Sequence, residues 1–455
     1  MVRKSTLLLF LLAWQISFAQ CWKTIDGGGG SALAILEDGT LWAWGWNGIG
    51  QLGVGDNIDK NIPTQVGTAN NWSKISWGYH HALAIKTDGT LWAWGWNNKG
   101  MVGDGTTNNK WNPVQIGTAT DWKEVAAGFN HSVALKTNGT LWTWGGNEYG
   151  QLGDGTFSNR SLPLQIGTAT DWRFITSGEE YSMAIKNDGT LWGWGNNTSG
   201  QTSAGSAMQN TPHQQGTAND WKTAAAGGSH TLAIKNNGSL WGWGYNGWGQ
   251  VGDGTTSTKF TPVQIGTSTD WKEINSGYFH SAALQNNGTL WTWGSNNFGG
   301  LGNGTNIGNT VPAQVGTETA WSALGYYANT TQYAMKSDKT LWSWGNNDYG
   351  QLGDGTNISK NYPVYITFNC EDKLSVRETD DRSPFKIYPN PATTELHISG
   401  TVKILSLNIY DTSGRLISTP KPVRNTINVS QMTAGTYLLK IETNKNTSSH
   451  IFIKK

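Results

Sequence analysis

Histidine recurs at one position of a repeating pattern, as His81, His131, His230 and His280, each three residues after a glycine. An imidazole titrating near neutrality is a natural general base or metal ligand. One histidine per repeat puts each on a different structural unit, however, which opposes a shared metal site and favours a bracing hydrogen bond. Asp104, Asp154, Asp253 and Asp354 recur in Gly-Asp-Gly-Thr loops that suggest calcium. Each loop offers a single carboxylate, whereas calcium takes about 6–8 oxygens. Glu179 and Glu180 are the one adjacent acid pair in the candidate loops. Neighbours on an extended segment diverge, which makes a poor acid/base couple. No nucleophile–base pair, phosphate loop or zinc spacing stands out. These residues predict a binding protein with no catalytic residues, cofactor or metal.

The elements that must carry them are repeats. Leu-Trp-x-Trp-Gly occurs seven times, its first tryptophans being Trp42, Trp92, Trp142, Trp192, Trp241, Trp291 and Trp342. A further tryptophan opens each unit, from Trp22 to Trp321. In the third copy Trp122–Val125 reads as strand A, His131–Leu135 as B and Leu141–Trp144 as C. Asn138-Gly139 reads as a two-residue hairpin turn, which needs positive φ at both central positions. A glycine-rich loop then leads to strand D at Pro163–Ile166, its proline at the strand start on an outer edge. Four antiparallel strands per repeat of roughly 50 residues, seven times over, predict an all-β seven-bladed β-propeller. Trp142 and Trp144 share one face of their strand because side chains alternate. The residue between them is small in every copy (Ala43, Ala93, Thr143, Gly193, Gly242, Thr292, Ser343), so one blade's bulky face can fill the next blade's shallow one.

These units resemble the regulator of chromosome condensation repeat family. The resemblance rests on Gly128-x-x-His131, Ala134-Leu135, Asn138-Gly139, Leu141-Trp142-x-Trp144-Gly145, Asn147 and Gly150-Gln151-Leu152-Gly153, and it recurs through residues 22–366. It implies the propeller fold. Members serve purposes as different as nucleotide exchange, light sensing and enzyme inhibition, so function must come from the loops. Copies four and seven depart most, with Thr202-Ser203-Ala204 in place of Leu-Gly-Asp and Lys339 in place of the turn glycine.

Strand direction sorts the loops. The A–B and C–D loops share one face, and the hairpins and D–A linkers share the other. The A–B loops carry Tyr79-His80, Phe129-Asn130, Glu179-Glu180, Tyr278-Phe279 and Tyr326-Tyr327. The C–D loops add Trp46, Trp96, Tyr149, Tyr245, Trp248, Phe298 and Tyr349. A rim of aromatics with two acids has the composition of a recognition surface for a protein partner. The alternative is a surface glycan, because aromatic rings with polar neighbours also suit sugars.

The 455 residues include 60 Gly and 27 Trp but only 14% charged residues, a balance of tight turns and aromatic core. Residues 20–370 hold 18 Lys+Arg against 23 Asp+Glu, a poor match for nucleic acid. Residues 1–19 read as a signal peptide: Arg3-Lys4, an apolar run too short to span a bilayer comfortably, and Ser17-Phe18-Ala19 before a cut. No other segment predicts a transmembrane span in the mature chain. The propeller is expected over 20–370, a charged linker over 371–384 and a small β-sandwich over 385–455.

That tail resembles the C-terminal sorting domain of the type IX secretion system. The matching residues are Tyr388-Pro389-Asn390-Pro391, Asn408-Ile409-Tyr410-Asp411 with Gly414-Arg415, Gly435-Thr436-Tyr437 and Lys454-Lys455. The resemblance implies the secretion machinery as a partner, and a secreted or outer-surface location. Cys21 and Cys370, the only cysteines, align just before the first strand and just after the last outer strand. They are neighbours in the ring register, so a disulfide clasping the first blade to the last is expected in an oxidising compartment.

Overall fold

The computed structural model describes residues 22–202, 205, 207–325, 330–367, 385–400, 404–411, 416–421, 425–443 and 447–455. Residues 1–19, expected to be a signal peptide, Cys21, Tyr326, Tyr327, Cys370 and the expected linker 371–384 lie outside them. The chain forms two compact units, Met1–Phe368 and Asn369–Lys455.

Among the described residues the first unit holds seven four-stranded antiparallel sheets, each from one contiguous stretch of chain in the order A-B-C-D. The third blade is Trp122–Ala127, His131–Lys136, Leu141–Gly145 and Arg160–Gln165. A strands of successive blades touch one another and form the inner wall. The second tryptophan of each C strand, from Trp44 to Trp344, is completely buried. It sits on the preceding blade: Trp144 and Trp122 pack with Leu83, Ile85, Leu91 and Ala93. The expected fit of bulky face to shallow face is thus the packing observed. The first tryptophan stays half-buried, its indole N–H held by the turn hydroxyl, as Trp142 Nε1 by Thr140 Oγ1 and Trp241 Nε1 by Ser239 Oγ, both at 2.9 Å.

Two local readings are corrected. The hairpin turn is a type I turn with a G1 bulge. Gly139 N–H donates to Lys136 O (2.9 Å) and Lys136 N–H to Thr140 O (3.1 Å). Only the glycine has positive φ (78°). Asn138 keeps ordinary φ because its Oδ1 accepts the Thr140 N–H (3.1 Å) and O–H (2.7 Å), closing an Asx turn. Strand D also begins three residues earlier than expected. Pro163 sits inside Arg160–Gln165, where the ladder to strand C shifts register between Thr143 and Gly145. An outer edge tolerates a missing N–H there.

Among the described residues the second unit holds two sheets. One contains Phe385–Tyr388, Glu395–Gly400 and Thr426–Asn428, and the other Leu416–Ser418, Ile404–Asp411, Gly435–Thr443 and Thr447–Lys454. Both feed one core, Leu396, Ile398 and Ile427 meeting Leu407, Ile409, Leu439 and Phe452. The Tyr388-Pro389-Asn390-Pro391 turn is tied to the last strand, since Asn390 Oδ1 accepts the Ile453 N–H (2.9 Å).

Candidate functional site

The A–B loops are stitched to one another before any side chain is considered. Tyr79 N–H donates to Gly128 O, Phe129 N–H to Glu179 O, Glu179 N–H to Gly227 O and Gly228 N–H to Gly277 O, at 3.1–3.3 Å. Each loop therefore presents its residues from a fixed backbone. Their side chains run together across blades. Tyr79 stacks on Phe129 with ring centroids 4.2 Å apart and planes at 27°. Tyr278 O–H donates to Glu179 Oε1 at 3.1 Å, joining the sixth blade to the fourth over the glycine loop of the fifth. Tyr278 meets Phe279 edge-on at 4.4 Å, and Phe279 lies 6.4 Å from Tyr245 and 6.3 Å from Trp248.

On the other side His80 fills the space between Trp46 (4.7 Å), Tyr79 (4.2 Å) and Trp96 (5.6 Å). Trp46, Tyr79, His80, Trp96, Phe129, Glu179, Glu180, Tyr245, Tyr278 and Phe279 are all half-buried. Asn130 differs from the expectation: it is buried beneath its loop and adds nothing to the rim. Its carbonyl is turned inward to accept the Gly146 N–H at 2.7 Å. Of the expected rim residues described, Trp248, Phe298 and Tyr349 are the exposed ones.

The acids are electrostatically linked to the tyrosines. Burial raises the Glu180 carboxyl to about 7, helped by the Glu179 charge and opposed by Asn196 and Lys99. Burial also lifts Glu179, against the Tyr278 hydrogen bond. Tyr278 is raised by burial and then by Glu179, and Tyr79 by burial, Glu179 and Tyr349. Burial depresses His80 to about 4, so it is neutral.

The recurrent histidines tie blades rather than loops. His81, His131 and His230 each place Nε2 2.9 Å from a serine of the next blade, Ser132, Ser182 and Ser281. Those serine hydroxyls donate their own protons to Met101 O, Gln151 O and Gln250 O. The serine can then only accept, which fixes the imidazole as the Nε2–H tautomer. The same three carbonyls accept Trp144, Trp194 and Trp293 Nε1–H. Sequence reasoning missed a second set of ties at the fourth residue after the strand-A tryptophan. Asp26 Oδ2 accepts Trp77 N–H, Ser76 Oγ accepts Ala127 N–H and Thr176 Oγ1 accepts Ala226 N–H. The recurrence of small polar residues there was its visible signal.

The loop aspartates are committed within their own loops. Asp154 Oδ1 accepts from Thr156 N–H (2.9 Å) and Asn147 Nδ2 (3.0 Å), while Oδ2 pairs with Arg160 at 3.0 Å. Burial alone would raise its pKa, but these donors hold it below the usual carboxylate range.

The RCC1-like domain family model matches residues 114–379, more than half of the chain. The model of the regulator of chromosome condensation (RCC1) repeat matches residues 38–85 and 88–135, and that of the secretion system C-terminal sorting domain matches 386–455. The ultraviolet-B receptor UVR8 of Arabidopsis thaliana is 50% identical over 42 residues, a match spanning 9% of this chain and 10% of that protein. Human WBSCR16 superposes with a TM-score of 0.66 at 22% identity, covering 72% of this chain and 94% of that one. Prp20p of Saccharomyces cerevisiae, whose structure was described with its binding to Gsp1p and histones, gives 0.64 at 19%, covering 76% and 87%. At these identities the likeness speaks for the fold.

Proposed function

Since the chain belongs to the RCC1-like family of β-propellers and ends in a secretion sorting domain, we propose that it is an exported recognition propeller. It binds a protein partner through the face where its A–B and C–D loops meet. The observation that carries this is the bond from Tyr278 to Glu179, which joins two non-adjacent blades and gathers separate loops into one surface. Protein interfaces use such half-buried aromatic anchors ringed by polar groups. The loops are stitched in place, so little ordering entropy opposes binding.

Export parts this chain from nuclear partners such as the histones bound by the yeast relative. The recurrent histidines and loop aspartates are engaged in holding the wheel together. Among the described residues no helix is long and apolar enough to cross a membrane. The type IX tail supports delivery to the cell surface or beyond.

The test immobilises the full chain beside a Tyr79→Ala/Phe129→Ala/Tyr278→Ala variant and presents surface proteins and polysaccharides to both. A protein retained only by the unmutated chain, and indifferent to free sugar, supports the reading. Equal retention, or none, removes this face from consideration.

A further inference from the structure

The first blade's A–B loop has no side chains. Gly28-Gly29-Gly30 stands where later blades carry Gly-Tyr79-His80, Gly-Phe129-Asn130 and Gly-Glu179-Glu180. Gly29 is required by close approach, because a Cβ there would lie 1.6 Å from the Tyr79 carbonyl oxygen. Gly30 is not crowded in that way. Its Cβ would stand 3.5 Å from the Tyr349 ring and 3.7 Å from Trp46, in the space between them. The vacated volume is a cavity of about 260 Å³ among the seventh, first and second blades.

The walls are of two kinds. Trp46, Tyr79 and Tyr349 supply aromatic surface, with Trp46 and Tyr349 centroids 6.1 Å apart at 50°. Ser31, Thr330, Thr331, Asn346 and Gln351 supply polar surface. The described lining contains no Asp, Glu, Lys or Arg, and its one histidine, His80, is neutral. Ser31 Oγ–H already donates to Trp46 O (2.7 Å) and Thr331 Oγ1–H to Asn346 O (2.9 Å). Their protons are spent, so both hydroxyls have only lone pairs to offer. The amides are fixed as well: Asn346 Oδ1 accepts from Gln351 Nε2, and its Nδ2 donates to Asp348 at 2.9 Å.

We propose that this cavity binds a single neutral sugar ring, the terminal unit of a glycan. A pyranose has an apolar C–H face for the aromatic walls and hydroxyl donors for the waiting acceptors. An aromatic or aliphatic side chain from a protein would leave those acceptors unsatisfied, a cost that disfavours it. The volume lies below the ~300–1,000 Å³ of drug-sized pockets, so it admits one ring and not a chain. The site uses neither Glu179 nor Tyr278, but it shares Trp46, Tyr79 and His80 with the proposed protein-binding face.

The test titrates the full chain with glucose, galactose, mannose and N-acetylglucosamine, following tryptophan fluorescence and saturation-transfer NMR. Glucuronic acid, glucosamine and N-acetylphenylalaninamide serve as comparisons. Saturable binding of at least one neutral sugar is expected, weakened at least tenfold in Tyr349→Ala and in Trp46→Ala. Tyr349 is exposed, so its loss leaves the fold intact, which near-ultraviolet circular dichroism verifies. Tyr278→Phe should bind the sugar unchanged even where it loses a protein partner. The proposal is overturned if no neutral sugar binds, if the charged sugars bind as well, if the aromatic amide binds in their place, or if both cavity variants bind like the parent.

Discussion

The indole Nε1–H of Trp44 donates to the main-chain carbonyl of Gln351 at 2.9 Å, across 307 residues of sequence. The same carbonyl accepts the Tyr333 hydroxyl at 2.6 Å. Around them Trp22, Ile25 and Leu36 of the first blade pack with Met335, Leu341 and Ile366 of the seventh. Among the described strands no blade borrows one from the other end of the chain. Among the described residues the ring is therefore closed by the tryptophan-to-carbonyl bond that links most other blades, by apolar packing, and by a main-chain bond from Gly355 N–H to Asn61 O at 2.9 Å.

Removing that tryptophan should be costly. Trp44→Ala is expected to lose about 3–5 kcal/mol, the range for a fully buried large side chain. Trp42→Ala, two residues away on a half-buried ring, should lose about 1–2 kcal/mol because part of that surface already meets water. Guanidinium unfolding of the two variants measures the difference, and equal losses would argue against seam closure by Trp44.

Lys339 is the one non-glycine residue with positive φ (67°) described in the propeller, at the turn where the other six copies have glycine. Its backbone still makes the turn bond, Lys339 N–H to Lys336 O at 2.9 Å. A non-glycine residue in this conformation costs about 1–2 kcal/mol. The exposed ion pair from Lys339 to Glu37 returns little of that. Lys339→Gly should therefore raise the unfolding free energy by about 1 kcal/mol. A melting temperature unchanged or lowered would show the turn to be unstrained.

The repeat period made the wheel, the blade order and the buried tryptophans legible, because alternation and spacing are local signals. The same holds for the loop face, since strand direction alone assigns each loop to a side. What stayed hidden were relations between blades. The recurrence of Asp26, Ser76 and Thr176 at one repeat position marks them as alike but does not name the N–H each accepts on the next blade, and a lone histidine does not announce the serine 51 residues later that accepts from it. The burial of Asn130 is of the same kind, since His80 and Glu180 at the equivalent position stay half-buried with the same carbonyl bond. The cavity was unreadable because its cause is the absence of side chains in Gly28–Gly30, which sequence reports only as flexibility.

The two cysteines permit a direct chemical test of closure. A Cys21–Cys370 bond would make the chain lighter by two hydrogens under non-reducing conditions and join the two peptides that carry these residues after proteolysis. On loop-closure entropy such a bond contributes up to about 5 kcal/mol. Reduction should then lower the unfolding midpoint, and Cys370→Ser should abolish the difference between reduced and oxidised samples. Free thiols in the exported protein would rule the bond out.

The histidine ties set a pH dependence. Burial lowers His131 from its ordinary value of 6.5 to about 3, and it acts likewise on His81 and His230. Between those values the unfolded chain binds a proton that the folded chain refuses, so stability is fully present above about pH 6.5 and is lost as pH falls toward 3. Each such histidine contributes a slope of about 1.4 kcal/mol per pH unit inside that window. Glu180, raised to about 7, and Asp26, raised by burial, act in the opposite sense, losing stability as pH rises. The absolute profile mixes these contributions, but a variant isolates one of them. His131→Phe removes the titrating group and the bond to Ser182, which lowers stability at pH 7. It should also flatten the decline between pH 6 and 4 by about one proton's slope relative to the parent. Urea unfolding of both proteins across that range reads the two slopes, and parallel profiles would mean that His131 is protonated equally in the folded and unfolded states.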